Sequence, residues 1–399
     1  MRKNIARFLA MLSMIAITGA GFACEVVPMD SSKDCSKAES SHWTSVEFSD
    51  DNSLNSSFEV SVEDSSVEDS SFEESFESST KDSSSEEITD KADTLRIHFL
   101  ELGNKVSGAC TLIDVGDTEV LIDAGSTDGA AKTIVPYIRQ YCEDGVLEYV
   151  IATHGDSDHI SAFVGDSNNG IFQSFVCETI IDFALTTKST QIYNKYVSLR
   201  NAEVAAGAKH YTALECWNNA NGAQRSYTLG EGITLNILYQ KYYETTTSTE
   251  NNYSVCTLLS QGDNHYLFTG DLEASGEASL LQSNDLPKCK LYKAGHHGSN
   301  TSSTPALLAK IQPEMAVISC CCGDKYSFPH QETINTISLY TDKVYVPSAI
   351  VGGTYTPLNG SIVVTSTDEN VSVDCTNNNT LFKDTDWFKK NRTTPAAWK

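Results

Sequence analysis

Basic residues are scarce in this 399-residue sequence, which has 28 lysines and arginines against 53 aspartates and glutamates. The formal net charge is −25 at pH 7. Proteins that hold DNA tightly by its backbone carry basic surfaces that neutralise the phosphates. The composition therefore argues against tight, sequence-independent DNA binding, but it does not exclude a nucleic acid as a substrate.

Long apolar runs are absent after the N-terminus, so nothing in the sequence indicates a transmembrane channel. The run at residues 8–17 follows basic residues and is shorter than the ~20 residues that a spanning helix needs. This pattern predicts a signal peptide over residues 1–23 and hence export. The stretch Gly21-Phe22-Ala23-Cys24 resembles a bacterial lipoprotein box, which implies a lipid anchor on Cys24. The alternative is ordinary cleavage near Ala23 and secretion; both place the protein outside the cytoplasm, and the anchor would make it extracellular and membrane-bound.

Large apolar residues are few over residues 24–93, where serine, aspartate and glutamate dominate. Asp30 to Ala92 contains 18 acidic residues and 4 lysines, so it supplies 14 of the 25 net negative charges. Such a segment buries too little apolar surface to offset the entropy lost on ordering, so it is predicted to be disordered. Its like charges favour an extended chain, which suits a tether.

The rest of the chain is predicted to be one folded domain over residues 94–375 and a tail over residues 376–399. Apolar strands and helical segments alternate, with a hairpin predicted at Gly116-Asp117, which indicates an α/β (α+β) domain whose sheets are covered by helices. The twelve cysteines lack regular spacing, so most are predicted to be small buried residues without a proposed disulfide pairing. The tail is either packed on the domain or a strip that binds the cell wall.

The most informative stretch is Thr153 to His159, Thr-His-Gly-Asp-Ser-Asp-His, which follows the apolar run Tyr149 to Ala152. Two imidazoles and two carboxylates are thus crowded between a strand and a helix predicted to begin near Ile160. Imidazole suits zinc and iron, whereas carboxylate suits manganese and magnesium. The pattern favours a metal site over a polar surface turn.

Three further polar clusters also follow predicted strands: Gly270 to Glu273, Gly295 to Ser299, and Tyr326 to His330. Ligands in open α/β sheets bind beyond the strand ends. We therefore expect these clusters to meet the Thr153 to His159 stretch in one place.

The order of these motifs resembles the metallo-β-lactamase fold and, more narrowly, the hydrolase domain of ComEC-type competence proteins. Phe99 to Asn104 resembles that family's Phe-Leu-Asp-Val-Gly-Gln opening, and Asn251 to Val255 resembles its Asn-Asn-x-Ser-Val strand. Tyr326 to His330 resembles its Tyr-Gly-His-Pro-His loop. The resemblance covers about Leu95 to Thr365. It implies a four-layer αββα sandwich with two divalent metal ions, zinc or manganese, at one edge of the sheets.

The resemblance also implies a set of metal ligands. These are His154 and Asp156 for the first metal, Asp158 and His159 for the second, Asp271 as a bridge, and either His296 or His297 to complete the second site. The remaining histidine of that pair would face the substrate.

Four residues receive other roles from the resemblance. Asp158 and His330 are the predicted catalytic residues, and His330 would act as an acid or stabilise the transition state. The alternative for His330 is a loop histidine packed beside a proline. Asp123 would orient the opening turn, or else cap the next helix, and Asn252 would lie just behind the ligands.

The sequence departs from the family pattern at several positions. Lactamase-like relatives have a histidine where this chain has Asp156, and another where it has Asn251, Asn252 and Ser254. Oxygen thereby replaces nitrogen, which favours manganese over zinc at the first site and leaves single-metal occupancy open. Phe328 stands where the competence family has histidine.

The leading hypothesis from the sequence is an exported, membrane-tethered, metal-dependent hydrolase that acts on phosphodiesters, including DNA. The first alternative is a phosphodiesterase for cell-wall or lipid substrates, similar to phosphorylcholine esterases. The second is a binding lipoprotein that has lost turnover.

Overall fold

A computed structural model describes residues 94–367 and 370–399 of the chain. The predicted signal peptide, the predicted lipidation site Cys24 and the predicted linker over residues 24–93 lie outside the described residues. Within the described ranges, every helix is too short or too polar to cross a bilayer.

The described residues form strands and helices throughout. The strands are β1 Leu95–Phe99, β2 Cys110–Val115, β3 Thr118–Ala124, β4 Val146–Ile151, β5 Val176–Asp182, β6 Lys209–Thr212, β7 Ser226–Gly230, β8 Ile233–Leu238, β9 Cys256–Gln261, β10 Asn264–Phe268, β11 Leu291–Lys293, β12 Met315–Val317, β13 Cys321–Cys322, β14 Val344–Tyr345, β15 Ser348–Val351, β16 Thr354–Pro357, β17 Ile362–Ser366 and β18 Val371–Cys375. The α-helices are α1 Ala131–Ile138, α2 Ser157–Val164, α3 Ile171–Ser174, α4 Gln191–Ala205, α5 Ala213–Asn218, α6 Ala274–Ser283, α7 Pro305–Ile311, α8 Gln331–Ser338 and α9 Asp386–Asn391.

The strands build two large sheets and one small one. The first sheet has the order β18-β17-β1-β2-β3-β4-β5-β6, and the second has the order β14-β12-β11-β10-β9-β8-β7. The small sheet is β13-β15-β16. Strands β3 to β6 run parallel to one another, as do β10, β11, β12 and β14, so their carboxyl ends gather at one edge of each sheet.

The two large sheets pack face to face. Alternate side chains of a strand point to opposite faces of its sheet, so neighbouring residues enter different cores. In β10, Tyr266 and Phe268 belong to the core shared with the first sheet, whereas Leu267 belongs to a second core. The Phe268 ring stacks on that of Phe99 in β1, with the centroids 6.2 Å apart. Helices flank both sheets: Ile134 of α1 belongs to the same cluster of buried residues as the first sheet, and Leu308 of α7 belongs to the second core. The predicted αββα sandwich is confirmed.

Most predicted strands and helices exist, but one strand and one helix begin at other residues than predicted. The predicted hairpin at Gly116-Asp117 joins β2 to β3. The Asn251 to Val255 stretch, which resembles a strand of the competence family, lies before the strand: Glu250–Tyr253 forms a 3-10 helix, and β9 begins at Cys256. The helix predicted near Ile160 begins earlier, at Ser157, since Asp156 adopts an extended conformation at its N-cap position (φ −74°, ψ 145°).

The cysteines of the described residues are unpaired, and all but Cys375 are buried. Burial raises the pKa of thiols such as Cys256 and Cys289, so they remain neutral and pack as small apolar groups. This outcome matches the sequence prediction.

The C-terminal segment, residues 376–399, packs on the domain. Phe382 and Phe388 are fully buried in the second core, and Trp387 is nearly so. The Arg392 guanidinium donates hydrogen bonds to the carbonyl oxygens of Ser327 (2.7 Å) and Pro329 (2.9 Å). This segment is therefore part of the folded domain.

Candidate metal centre

Four side chains from three strand ends converge into what we call the ligand cluster: Asp158, His159, Asp271 and His297. The Nε2 atom of His159 lies 3.2 Å from Asp271 Oδ2 and 3.1 Å from His297 Nε2. His297 Nε2 in turn lies 3.3 Å from Asp271 Oδ2 and 3.5 Å from Asp158 Oδ2. His159 and Asp158 are on the first turn of α2, Asp271 follows β10, and His297 follows β11.

Hydrogen bonds behind the two imidazoles fix their orientation. His159 Nδ1 donates to Asp123 Oδ2 over 2.8 Å, and His297 Nδ1 donates to the carbonyl oxygen of Ser319 over 2.7 Å. A neutral ring that donates from Nδ1 keeps its lone pair on Nε2. Both Nε2 atoms therefore present lone pairs to the same point when the rings are neutral.

Asp123 connects the cluster to the strand end that precedes it. Its carboxylate also accepts from the Thr153 backbone N–H (2.7 Å) and hydroxyl (2.9 Å). Its φ of 59° aims the side chain at α2 rather than along β3. No side-chain hydrogen bond from Asp123 caps the following 3-10 helix, whose N-cap residue is Thr127. The geometry thus matches the orienting role and not the capping alternative.

The pKa shifts in the cluster favour ionised carboxylates and protonated imidazoles. Although burial alone would raise it, the nearby His159 and His297 hold the pKa of the Asp271 carboxyl well below its usual range. Although burial opposes it, the Asp271 and Asp123 carboxylates hold the pKa of His159 well above its usual range. Asp271 similarly raises the pKa of His297 to about 9, again against burial. These shifts favour protonated imidazoles when no metal ion is bound, and a metal ion would have to displace those protons because it binds the neutral ring.

His154 lies beside the cluster with a free nitrogen. Because the Thr153 hydroxyl donates to Asp123, its oxygen accepts from His154 Nδ1 over 3.1 Å. His154 Nε2 is buried without a hydrogen-bond partner, and so is Asp271 Oδ1. Burial, reinforced by the neighbouring His159, lowers the pKa of His154 to about 4, so the ring is neutral.

The donor set fits divalent metal ions. Two overlapping groups, His154–His159–Asp271 and Asp158–His159–His297, each keep their candidate ligand atoms within 4.8 Å of one another. Two buried donor atoms without partners are costly unless something binds them. The mixture of imidazole and carboxylate suits zinc or manganese.

Asp156 lies outside both groups. Its Oδ2 is 3.6 Å from His154 Nε2, but its Oδ1 forms an ion pair with Lys188. The carboxylate is about a quarter exposed, unlike the buried cluster. The predicted first-site ligand thus has a protein cation as its partner.

The histidine pair is divided between the cluster and the substrate side. His296 and His297 both have positive φ, 47° and 52°, which turns consecutive side chains in different directions. His297 enters the cluster, whereas His296 Nδ1 bonds Thr301 Oγ1 at 2.9 Å and its ring lines the adjoining cleft. The next residue is Gly298, where an added Cβ would lie 2.5 Å from Pro329 Cβ.

A cleft of about 500 Å³ opens beside the cluster, and Asp158, Asp271, Lys325 and His330 are among the residues that line it. His330 Nδ1 accepts from the Asn300 backbone N–H over 3.1 Å, and its Nε2 donates to the Tyr326 carbonyl over 3.1 Å. These two bonds fix the orientation of the ring. To act as an acid from Nε2, the ring would have to release Tyr326 and take up a proton at Nδ1, where it accepts from Asn300.

Asn252 lies one layer behind the cluster. Its Oδ1 accepts from the Glu273 backbone N–H over 3.1 Å, and its Nδ2 donates to Ser275 over 3.3 Å. These bonds brace the turn that carries Asp271. Asn251 lies closer to the cleft, with its Nδ2 3.4 Å from His296 Nδ1.

Lys188 and Glu250, which both reach the Asp156 side of the centre, were not predicted from the sequence. Lys188 follows β5, the strand next to β4, so the strand-end rule that located the other clusters also applied to it. Glu250 directly precedes the Asn251-Asn252 motif. Neither has a neighbouring histidine to mark it.

Comparisons with known proteins agree with this arrangement. A profile of the metallo-beta-lactamase superfamily matches residues 103–200. Recombination protein 2 of Haemophilus influenzae is 27% identical over 255 residues, which cover 63% of this chain and 27% of that protein. Competence protein ComA of Neisseria gonorrhoeae is 26% identical over 240 residues, which cover 59% of this chain and 29% of that protein. The chain therefore spans only about a quarter of the length of these relatives.

Among solved structures, the metallo-beta-lactamase fold protein YhfI of Bacillus subtilis aligns with a TM-score of 0.41 at 12% identity. The alignment covers 69% of this chain and all of YhfI.

Proposed function

We propose that this domain, which belongs with the metal-dependent hydrolases of the metallo-β-lactamase superfamily and is similar to competence proteins, cleaves phosphodiester bonds in nucleic-acid strands. The observation that carries the proposal is the convergence of Asp158, His159, Asp271 and His297, beside the unpartnered His154 Nε2, on an open cleft. The similarity to proteins named for recombination and competence supports a nucleic-acid substrate.

Divalent ions would be held by the ligand cluster, with His154 beside it. When bound there, such ions supply Lewis acidity that activates water near neutral pH and stabilises negative charge on a phosphoryl oxygen. The protein's own contribution is to hold the donors rigidly. Asp123 and the Ser319 carbonyl fix the two rings from behind, so their Nε2 atoms need no reorganisation.

Residues on the cleft walls would position the substrate. Lys325 places an ammonium group at the cleft, and its Nζ lies 4.6 Å from the centroid of the exposed Tyr326 ring. An ammonium beside an aromatic face suits a phosphate next to a flat base. His296, on the same cleft, would donate to a phosphate oxygen, and His330 would do so after releasing Tyr326.

The second candidate function is hydrolysis of small phosphodiesters of the cell wall or of lipids. Residues 30–92 supply only 14 of the 25 net negative charges, so the rest of the chain is acidic as well, and Lys325 is the only lysine or arginine among the described residues that line the cleft. Such an acidic surface is unfavourable for a long polyanion. A compact diester meets less of it.

The proposal includes export and a lipid anchor on Cys24, supported by the N-terminal sequence pattern. In bacteria, the Cys24→Ala variant of the full chain should appear in the medium, whereas the wild type should stay in the membrane fraction. Equal release of both proteins would contradict the anchor.

Activity is tested with the metal-stripped full chain supplied with Mn²⁺ or Zn²⁺. The substrates are single-stranded DNA, duplex DNA and bis-p-nitrophenyl phosphate. We expect cleavage of DNA that disappears in Asp271→Ala and persists in Asp285→Ala, which removes an exposed carboxylate paired with Lys310. Turnover of the small diester alone would favour the second candidate. The absence of turnover with every metal would leave the non-catalytic binding alternative.

A further inference from the structure

The Asp156 side of the centre has an ion pair where the family places a metal ligand. Lys188 Nζ contacts Asp156 Oδ1, and both side chains are about a quarter exposed. The other carboxylate oxygen lies 3.6 Å from the unpartnered His154 Nε2. The Lys188 ammonium group therefore already pairs with the Asp156 carboxylate, which was predicted to bind the first metal ion.

A buried carboxylate, Glu250, fixes the loop that carries Lys188. Glu250, which is 5% exposed, accepts from the Gly155 backbone N–H (3.0 Å), the Thr186 hydroxyl (2.6 Å) and both the N–H (2.7 Å) and hydroxyl (2.8 Å) of Thr187. These bonds tie the loop after β5 to the loop after β4. The approach is so close that a Cβ at Gly155 would lie 2.7 Å from Glu250 Oε1 and 3.0 Å from Lys188 Cγ.

The remaining donors are unevenly distributed. The ligand cluster offers four side chains, and His297 Nε2 lies within 3.5 Å of a ligand atom of each of the other three, enough for one tetrahedral or incomplete octahedral ion. On the other side, His154 is the one member of the group His154–His159–Asp271 that the ligand cluster does not already use, and Asp156 is paired with Lys188. Adding a second divalent ion there would bring like charge close to a fixed ammonium.

We propose that Lys188 replaces the second metal ion: the centre holds one divalent ion in the ligand cluster, and the ammonium group, fixed on Asp156, supplies the other positive charge. The inference requires that the cluster binds metal, but it does not depend on which substrate is cleaved. In this arrangement, Lys188 acts on the cleft through Asp156, which lines it.

The test is metal content. The metal-stripped full chain is dialysed against Mn²⁺, and in parallel against Zn²⁺, and bound metal is measured by elemental analysis. We expect about one equivalent for the wild type and about two for Lys188→Met, which keeps most of the side-chain length but removes the charge and frees Asp156. Lys132→Met, which removes a surface ion pair with Asp166, serves as the matched control and should remain at about one.

Two equivalents of similar affinity in the wild type would overturn the inference, as would a folded Lys188→Met protein that stays at one. If Lys188→Met does not fold, the wild-type value still decides, and Lys188→Arg should remain at one equivalent because it keeps the charge. One equivalent without phosphodiester cleavage would refute the proposed function and leave this inference standing.

Discussion

The hydrogen bond from His159 to Asp123 gives the sharpest prediction about the metal centre. Asp123→Asn preserves the shape of the side chain but replaces one acceptor oxygen by an NH₂ donor. If that donor faces His159, Nδ1 must become an acceptor and the proton must move to Nε2. The ring would then lose the lone pair that points into the cluster.

The magnitude follows from the contacts. Outer hydrogen-bond partners of metal-binding histidines typically contribute 10–100-fold in metal affinity or activity, which is about 1.4–2.7 kcal/mol. Asp123 is 1% exposed, and its carboxylate accepts from three donors, one of them within the cluster. We therefore expect a loss near the upper end of that range, roughly 100-fold in affinity for Mn²⁺ or Zn²⁺.

Competition with a chromophoric chelator measures the affinity, and circular dichroism checks that the variant is folded. Asp114→Asn is the matched control, since Asp114 is a buried carboxylate of the same sheet that pairs with Arg96 at 2.7 Å, away from the cluster. A folded Asp123→Asn protein that binds metal as tightly as the wild type and the control would refute the reasoning.

Three further predictions concern stability. Burial, and then the neighbouring Glu148, raise the pKa of Glu119 to about 8. The stability linked to its protonated form is therefore present below the unfolded pKa and is lost as pH rises through about 8. We expect Glu119→Gln to raise the thermal midpoint at pH 9 but not at pH 5. If the variant and the wild type differ in thermal midpoint by the same amount at pH 5 and pH 9, this prediction is contradicted. Gly298→Ala should destabilise the fold by about 1–3 kcal/mol in chemical denaturation and weaken metal binding, because the new Cβ meets Pro329 at a positive φ; metal affinity equal to the wild type would show that the cluster tolerates the shift. Phe388→Ala should cost about 3–5 kcal/mol in chemical denaturation, and a loss below about 1 kcal/mol would mean that residues 376–399 pack only weakly.

The location of the centre was predictable because it rests on local patterns. Apolar strands followed by polar clusters mark the carboxyl ends of parallel strands, and His154, Asp271 and the histidine pair all lie at such ends. The short strands of the small third sheet, by contrast, have too few residues to show an alternating pattern, and were missed.

Which side chains of the centre enter the ligand cluster, and which side chain pairs with Asp156, was not predictable. Whether His296 or His297 enters the cluster depends on two consecutive left-handed residues, a conformation that the sequence does not announce. The pairing of Gly155 with Glu250 joins residues 95 positions apart, and it is this contact that brings Lys188 to Asp156. Long-range pairing of this kind is decided by tertiary packing.

The two hydrogen bonds from Arg392 to the loop at residues 327–329 determine how far the protein can be shortened from its C-terminus without damage to the cleft. That loop contributes Phe328 to the cleft wall, and its ring lies 5.9 Å from that of His297. A protein shortened to Cys375 would lose the buried Phe382 and Phe388 and would also release this wall. Shortened versions intended for activity measurements should therefore keep the chain through Arg392, since a version that ends earlier would test a damaged cleft.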